Sequence, residues 1–265
     1  MSAANRRLSI NYHDVVEHQN HHRSGFPGPW AQIYKLEPDE FARHLEAIRR
    51  AIGNKAVGPT VAGEGDGICL TFDDGGVSAY RPVAPMLERH GWRGHFFVTT
   101  DWIGKPGFLT DEQLRELDRR GHVIGSHSCS HPTRMAHLPW AEMLREWTES
   151  TSRLAQIVGH AVTVASVPGG YYSLRVAKAA AQAGIRTLFT SEPTTTVDRV
   201  EGCQVLGRYV VQRGMGPEWS AGFAAGEVVP RLKQAVLWKA KGAAKRLGGR
   251  AYLQLAAAIW NARQS

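Results

Sequence analysis

Along the chain, short apolar runs rich in β-forming residues alternate with longer stretches of helical spacing. The runs at 9–15, 68–72, 95–99, 122–126, 162–167, 186–190 and 204–211 predict strands. Helices are predicted over 38–52, 80–90, 111–120, 140–157 and 173–183. Thr110 followed by Gln113 reads as a capping box at the start of the third helix. Strands and helices alternating at this spacing predict parallel strands joined by crossover helices. Seven strands imply an α/β fold that is a distorted, incomplete β/α barrel; an open doubly wound sheet is the alternative. Residues 53–67 are glycine-rich, lack periodicity and predict a surface loop.

Composition narrows the class. A chain of 265 residues that is 43% hydrophobic can bury the core of one domain. With 21% charged residues it is not a disordered chain. Cys69, Cys129 and Cys203 are too few for a disulfide framework, and no CxxC pair is present. No stretch approaches the length of an apolar membrane span, and the first residues lack a signal-peptide core, so a cytoplasmic location is expected.

The net charge of +8 is unevenly spread. Of the 32 Lys and Arg, eight lie in residues 228–265, which hold none of the 24 Asp and Glu; the remainder is balanced. This predicts a neutral main domain over 1–227 and a basic amphipathic helical tail over 228–265, broken in two at Gly248 and Gly249. It also argues against nucleic acid as the partner. In the tail, Lys233, Lys239 and Arg250 are interleaved with Leu232, Trp238 and Tyr252. That mixture suits a helix lying on an anionic membrane surface, peripheral to its inner face. A helix pair packed on the body with a solvated basic face fits equally.

Three strand ends carry candidate chemistry. The run ICLTF ends in Asp73, Asp74 and Gly75. Adjacent carboxylates at the active face of a barrel can point apart, one toward a metal and one toward a proton. Alone, the pair reads better as an acidic turn after a strand end. The run HVIGS ends in His127-Ser128-Cys129-Ser130-His131-Pro132, where two histidines beside a carboxylate make three potential ligands with room for water and substrate. After Val167 come Pro168, Gly169, Gly170 and Tyr171, where a backbone N–H could approach an oxyanion. Trp30, Trp102, Tyr171 and Tyr172 are aromatic candidates for stacking on a substrate, and any one of them reads equally as core.

Together these residues resemble the polysaccharide deacetylase family, the NodB homology domain of carbohydrate esterase family 4. TFDDG stands at 71–75 and H-S-x-x-H-P at 127–132, and the likeness runs from about residue 8 to 211. The resemblance implies a divalent metal, usually zinc, held by Asp74, His127 and His131, with Asp73 as the catalytic base. Two departures stand out. The arginine that opens the third motif is Ser166 here, and the late histidine that acts as general acid is missing: no histidine follows His160. A subgroup resembling poly-N-acetylglucosamine deacetylases carries that acid early, in a Tyr-His-Asp-Val setting, which here is Tyr12-His13-Asp14-Val15. The resemblance therefore implies His13 as the acid, and Arg208 is the candidate for the displaced arginine.

The expected reaction is metal-dependent removal of an N-acetyl group from an amino sugar in a glycan or lipid-linked saccharide. Asp73 takes a proton from water, His13 protonates the departing amine, and Gly169, Gly170, Tyr171 and Trp102 contact substrate. Two other readings compete: a deformylase or other amide hydrolase on a lipid-linked sugar, and a NodB-fold glycan-binding module without turnover.

Overall fold

The computed structural model describes residues 7–53, 55, 57–58 and 67–247. Most of the predicted 53–67 loop, and the tail from Gly248 through Arg250 and Tyr252, lie outside these residues. Among the described residues the strands are β1 (Leu8–Tyr12), β2 (Asp14–Val15), β3 (Lys35–Leu36), β4 (Ile68–Phe72), β5 (His95–Val98), β6 (Val123–Ser126), β7 (Val164–Ser166), β8 (Thr187–Phe189), β9 (Val197–Val200), β10 (Cys203–Leu206) and β11 (Tyr209–Val210). The α-helices are α1 (Pro29–Gln32), α2 (Pro38–Ile52), α3 (Val83–Glu88), α4 (Asp111–Arg119), α5 (Trp140–Val158), α6 (Leu174–Gln182), α7 (Pro217–Ala225) and α8 (Val228–Leu247).

The main sheet runs β11-β1-β4-β5-β6-β7-β8-β10-β9, parallel throughout except for the antiparallel edge strand β9. Every residue of β4 is buried, as expected where both sheet faces are covered. Leu70 and Phe72 pack outward with Phe41 and Leu45 of α2 and Leu87 of α3. Strand alternation turns Cys69 the other way, into a cluster with Phe97, Phe189 and Leu206. On the far side, Met143 and Trp147 of α5 meet Val176 and Ala180 of α6.

The seven predicted strands all appear, but two of them divide: 9–15 into β1 and β2, which pairs with β3 outside the main sheet, and 204–211 into β10 and β11. The run at 204–211 reads as continuous, yet β10 pairs with β8 at one end of the sheet and β11 pairs with β1 at the other. The break falls at Gly207 and Arg208. A side chain at Gly207 would stand 2.3 Å from the Glu192 carbonyl oxygen, so only glycine fits. Leu206 and Tyr209 are three Cα steps apart, at most about 11 Å. The two ends of the sheet must therefore curl round until they nearly meet, and the result is an incomplete barrel. Eight parallel strands form it rather than about seven.

The predicted helices match α2 to α6 within a few residues, and the capping box forms: Gln113 N donates to Thr110 Oγ1 (3.3 Å) and Thr110 N to Gln113 Oε1 (3.0 Å). Helix α7 was not predicted, because PEWSAGFAA carries small residues on every side and shows no clear apolar stripe. It buries Phe223 and packs on α2 and β1. From α8, Gln234 pairs with both the N–H and the C=O of Val210 (3.0 and 2.8 Å), covering the open edge of β11. Among the described residues no helix is long and apolar enough to cross a membrane.

Candidate metal centre and active site

The two carboxylates at the end of β4 part company through one backbone torsion. Asp73 continues the inward alternation of Cys69 and Thr71. Asp74 adopts φ 75°, a left-handed conformation unusual outside glycine, which swings its side chain toward the end of β6. There its Oδ1 lies 3.5 Å from His127 Nε2 and 3.5 Å from His131 Nε2. One ligand atom from each residue falls within 4.8 Å of the others. Donors bound at about 2.0–2.2 Å around one tetrahedral zinc ion stand about 3.3–3.6 Å apart, so these separations fit such an ion. His127 Nδ1 lies 3.0 Å from the Ser166 carbonyl oxygen. A carbonyl only accepts, so Nδ1 carries a proton, and when the ring is neutral its Nε2 lone pair faces Asp74. The donor set, its spacing and this fixed tautomer all suit a divalent metal.

Asp73 faces a cation instead. Arg208 emerges between β10 and β11 and reaches inward, fully buried, to grip both carboxylate oxygens (2.7 and 2.8 Å). Its remaining donors are also used. Nε donates to the Thr190 carbonyl (3.0 Å), Nη1 to Asn11 Oδ1 (3.0 Å) and Nη2 to Ser166 Oγ (2.8 Å). Asn11 Nδ2 donates in turn to Asp73 (3.2 Å), and Thr71 Oγ1 donates to Asn11 Oδ1 (2.9 Å). The rings of Phe97 and Phe189 lie beneath the guanidinium. Burial alone would raise Asp73; the charges of Arg208 and then His127 outweigh it and hold the carboxyl well below the usual range. Asp74 is also lowered, with burial opposed by its hydrogen bond to His127 and the nearby His13.

His13 follows β1 at the same rim. Its ring stacks on Tyr34 (centroids 4.4 Å apart), and its Nδ1 is buried without a hydrogen-bond partner among the described residues. Trp102 lies against Phe26 (5.0 Å), whose ring in turn lies 4.9 Å from that of His131, so loop 24–28 supplies an aromatic wall beside the triad. Gly169 adopts φ 63°, and a Cβ there would meet the Thr133 carbonyl at 3.0 Å. Gly170 follows in the same turn, and Tyr171 is partly buried with Arg134 over its ring (5.9 Å).

Sequence reasoning missed several polar partners. Asn11, Ser166 and Thr71 complete the Arg208–Asp73 cage. The inward periodicity of β1 and β4 could have found Asn11 and Thr71. Ser166 occupies the very position where the resemblance lacks an arginine, and its hydroxyl accepts from the arginine that comes from 208.

With this geometry in view, residues 60–188 match the sequence model of the polysaccharide deacetylase family. YxkH of Bacillus subtilis is 29% identical over 166 residues, 63% of this chain and 57% of that one. The peptidoglycan-N-acetylmuramic acid deacetylase PdaA of Bacillus subtilis is 30% identical over 127 residues, 47% of this chain and 46% of the other. The chain thus spans about half the length of the curated relatives it matches. Among solved structures, IcaB from Ammonifex degensii superposes with a TM-score of 0.66 at 21% identity, over 83% of this chain and 97% of that one, a likeness of fold. The curled parallel sheet, the paired carboxylates closing its first inner strand and the two histidines one strand-end away all lie in or beside the matched segment, and over that segment the chain is similar to the polysaccharide deacetylase family.

Proposed function

We propose that this protein is a metal-dependent N-deacetylase acting on an amino sugar in a glycan or lipid-linked saccharide. It falls in the permuted subgroup whose acid histidine precedes the other motifs. The observation that carries this reading is the division between Asp74, grouped with His127 and His131, and Asp73, paired with Arg208. Asp74, His127 and His131 would hold the ion, with zinc the best match to the donor set. When bound, a divalent ion there supplies Lewis acidity, polarising a carbonyl and lowering the pKa of water.

The chain's own residues supply the rest. Asp73, kept ionised and fixed in orientation by Arg208, accepts a proton from the attacking water. The Gly169 N–H offers a donor to the oxyanion as the acetyl carbon becomes tetrahedral. His13 donates a proton to the departing nitrogen, without which an amine is a poor leaving group. Acetate and a free amino sugar result. Trp102, Gly170 and Tyr171 line the approach. PdaA, by its name a deacetylase of an N-acetylated sugar, supports the reaction class. With Arg208 in contact with Ser166, the missing arginine at 166 no longer favours a module without turnover.

The same reading extends to α8. Its outer face exposes Val228, Val229, Leu232 and Val236 at 57–73%, beside Lys233 and Lys239, with no acidic residue in the helix. This suits a peripheral site on an anionic membrane. A chain ending at Glu227 should lose salt-sensitive co-sedimentation with anionic liposomes; equal binding by both forms contradicts the assignment.

The test of activity is acetate release from N-acetylated sugars, oligosaccharides and lipid-linked glycans, with zinc and after chelation. Zinc-dependent release from at least one class is expected. Formate release from N-formyl sugars alone would favour the deformylase alternative.

A further inference from the structure

The loop between the two metal-ligating histidines is short and strained. Ser128 (φ 65°) and His131 (φ 59°) both adopt left-handed backbone, as does Asp74; these are three of the four non-glycine residues with positive φ among the described residues. Such conformations persist only where the surroundings over-determine them. The loop's backbone N–H groups can all be traced. His127 N donates to the Val98 carbonyl (2.9 Å), Ser128 N to Ser126 Oγ (3.1 Å) and His131 N to Ser128 Oγ (3.1 Å). The other two, Cys129 N and Ser130 N, both donate to Glu146 Oε2 at 2.9 Å. The second oxygen, Glu146 Oε1, accepts from Ser130 Oγ at 2.7 Å.

Glu146 is therefore a buried carboxylate in the middle of α5 whose acceptors are filled by the loop alone. It takes part in no ion pair among the described residues. A charged acceptor makes stronger hydrogen bonds than a neutral one, and two of these go to consecutive amides at the apex of the ligand loop. One turn further along the same helix, Ser150 Oγ meets Ser126 Oγ at 2.7 Å, anchoring the loop's entry. Helix α5 thus grips the loop at its base and at its apex.

We infer that Glu146 is a positioning residue for the metal centre: by accepting from Cys129 N, Ser130 N and Ser130 Oγ, it fixes the spacing of His127 and His131 and so sets metal affinity. This rests on the metal-site reading of Asp74, His127 and His131 given above. The claim concerns hydrogen-bond geometry rather than charge. Gln at 146 can place its carbonyl oxygen where Oε2 stands and donate its amide to the Ser130 hydroxyl, whereas Asp keeps the charge but is one methylene too short.

The test is zinc affinity, measured by competition with a chromophoric chelator, on the full chain with Glu146→Gln and Glu146→Asp. The thermal midpoint of each metal-free variant is recorded alongside. Partners that orient ligands typically change affinity by about 10–100-fold. Glu146→Asp should lose affinity in that range, and Glu146→Gln should stay within about threefold of the parent, the loss far exceeding any difference in metal-free midpoint. Cobalt-substituted protein should show an altered visible ligand-field band in the Asp variant and the parent's band in the Gln variant. Unchanged affinity in Glu146→Asp, or the reverse order with Gln the weaker, would overturn the inference. Failure of the parent itself to bind zinc would instead reject the underlying metal-site reading.

Discussion

Asp73 and Asp74 share a peptide bond and sit in opposite surroundings. Asp73 points into the barrel, where an arginine from the closing turn takes both its oxygens and every other guanidinium donor finds an acceptor. Asp74 points along the rim toward two histidines and touches no Lys or Arg among the described residues. The first is a closed polar network whose charge is already balanced; the second is a set of converging lone pairs that needs a cation. One backbone torsion, φ 75° at Asp74, separates the two. The lesson is that a motif of identical side chains acquires two chemistries from the elements facing it.

This contrast can be strained from several sides. His13 belongs to neither set of contacts, so replacing it should separate metal binding from turnover. In His13→Ala, zinc should bind as in the parent while acetate release falls about 10²–10⁴-fold, the usual contribution of a positioned proton donor. Near-parental turnover would remove His13 from the mechanism.

The closed network should be the more costly to break in stability. Arg208→Ala leaves a buried carboxylate without its partner, a loss of about 3–5 kcal/mol in urea unfolding. Burial, opposed then only by His127 and His13, should also raise the Asp73 pKa and carry the acid limb of activity to higher pH. Arg208→Lys should recover part of the stability, since one ammonium cannot reproduce the two-pronged grip. A loss below about 1 kcal/mol, the upper end for exposed pairs, would mean the network is not closed.

The smallest effect is a pH dependence of the open set. Burial lowers His127, but Asp73 and then Asp74 more than offset it, and its pKa stands above the ordinary 6.5. In metal-free protein, the stability this contributes is fully present below 6.5 and is lost as pH rises through the elevated value. A metal requires the neutral ring, so protons compete with it. Zinc affinity should weaken as pH falls through that range, by up to about tenfold per unit for each proton displaced. Affinity independent of pH there would contradict the assignment of His127 as a ligand.

The sequence made the contiguous parts of this picture legible and left the assembled parts hidden. DDG and HSCSHP sit at the ends of apolar runs, so their type, spacing and location all read directly. Arg208 emerged only from the absence of an arginine at 166, because its role depends on where the barrel closes. That closure was itself obscured: CQVLGRYVV has the apolar character of one strand, and only Gly207 marks the break. Glu146 gave no signal, since a glutamate in the middle of a helix reads as solvent-facing until the loop it holds is folded against it.

The division of labour between the neighbouring aspartates is tested most directly by Asp73→Asn and Asp74→Asn, each assayed for zinc stoichiometry and for acetate release from the substrate that the parent turns over. Asp73→Asn should still bind one zinc per chain with acetate release down at least about 10²-fold. Asp74→Asn should lose the metal, and activity with it. Substantial turnover by Asp73→Asn, or zinc held as tightly by Asp74→Asn as by the parent, would contradict the assignment.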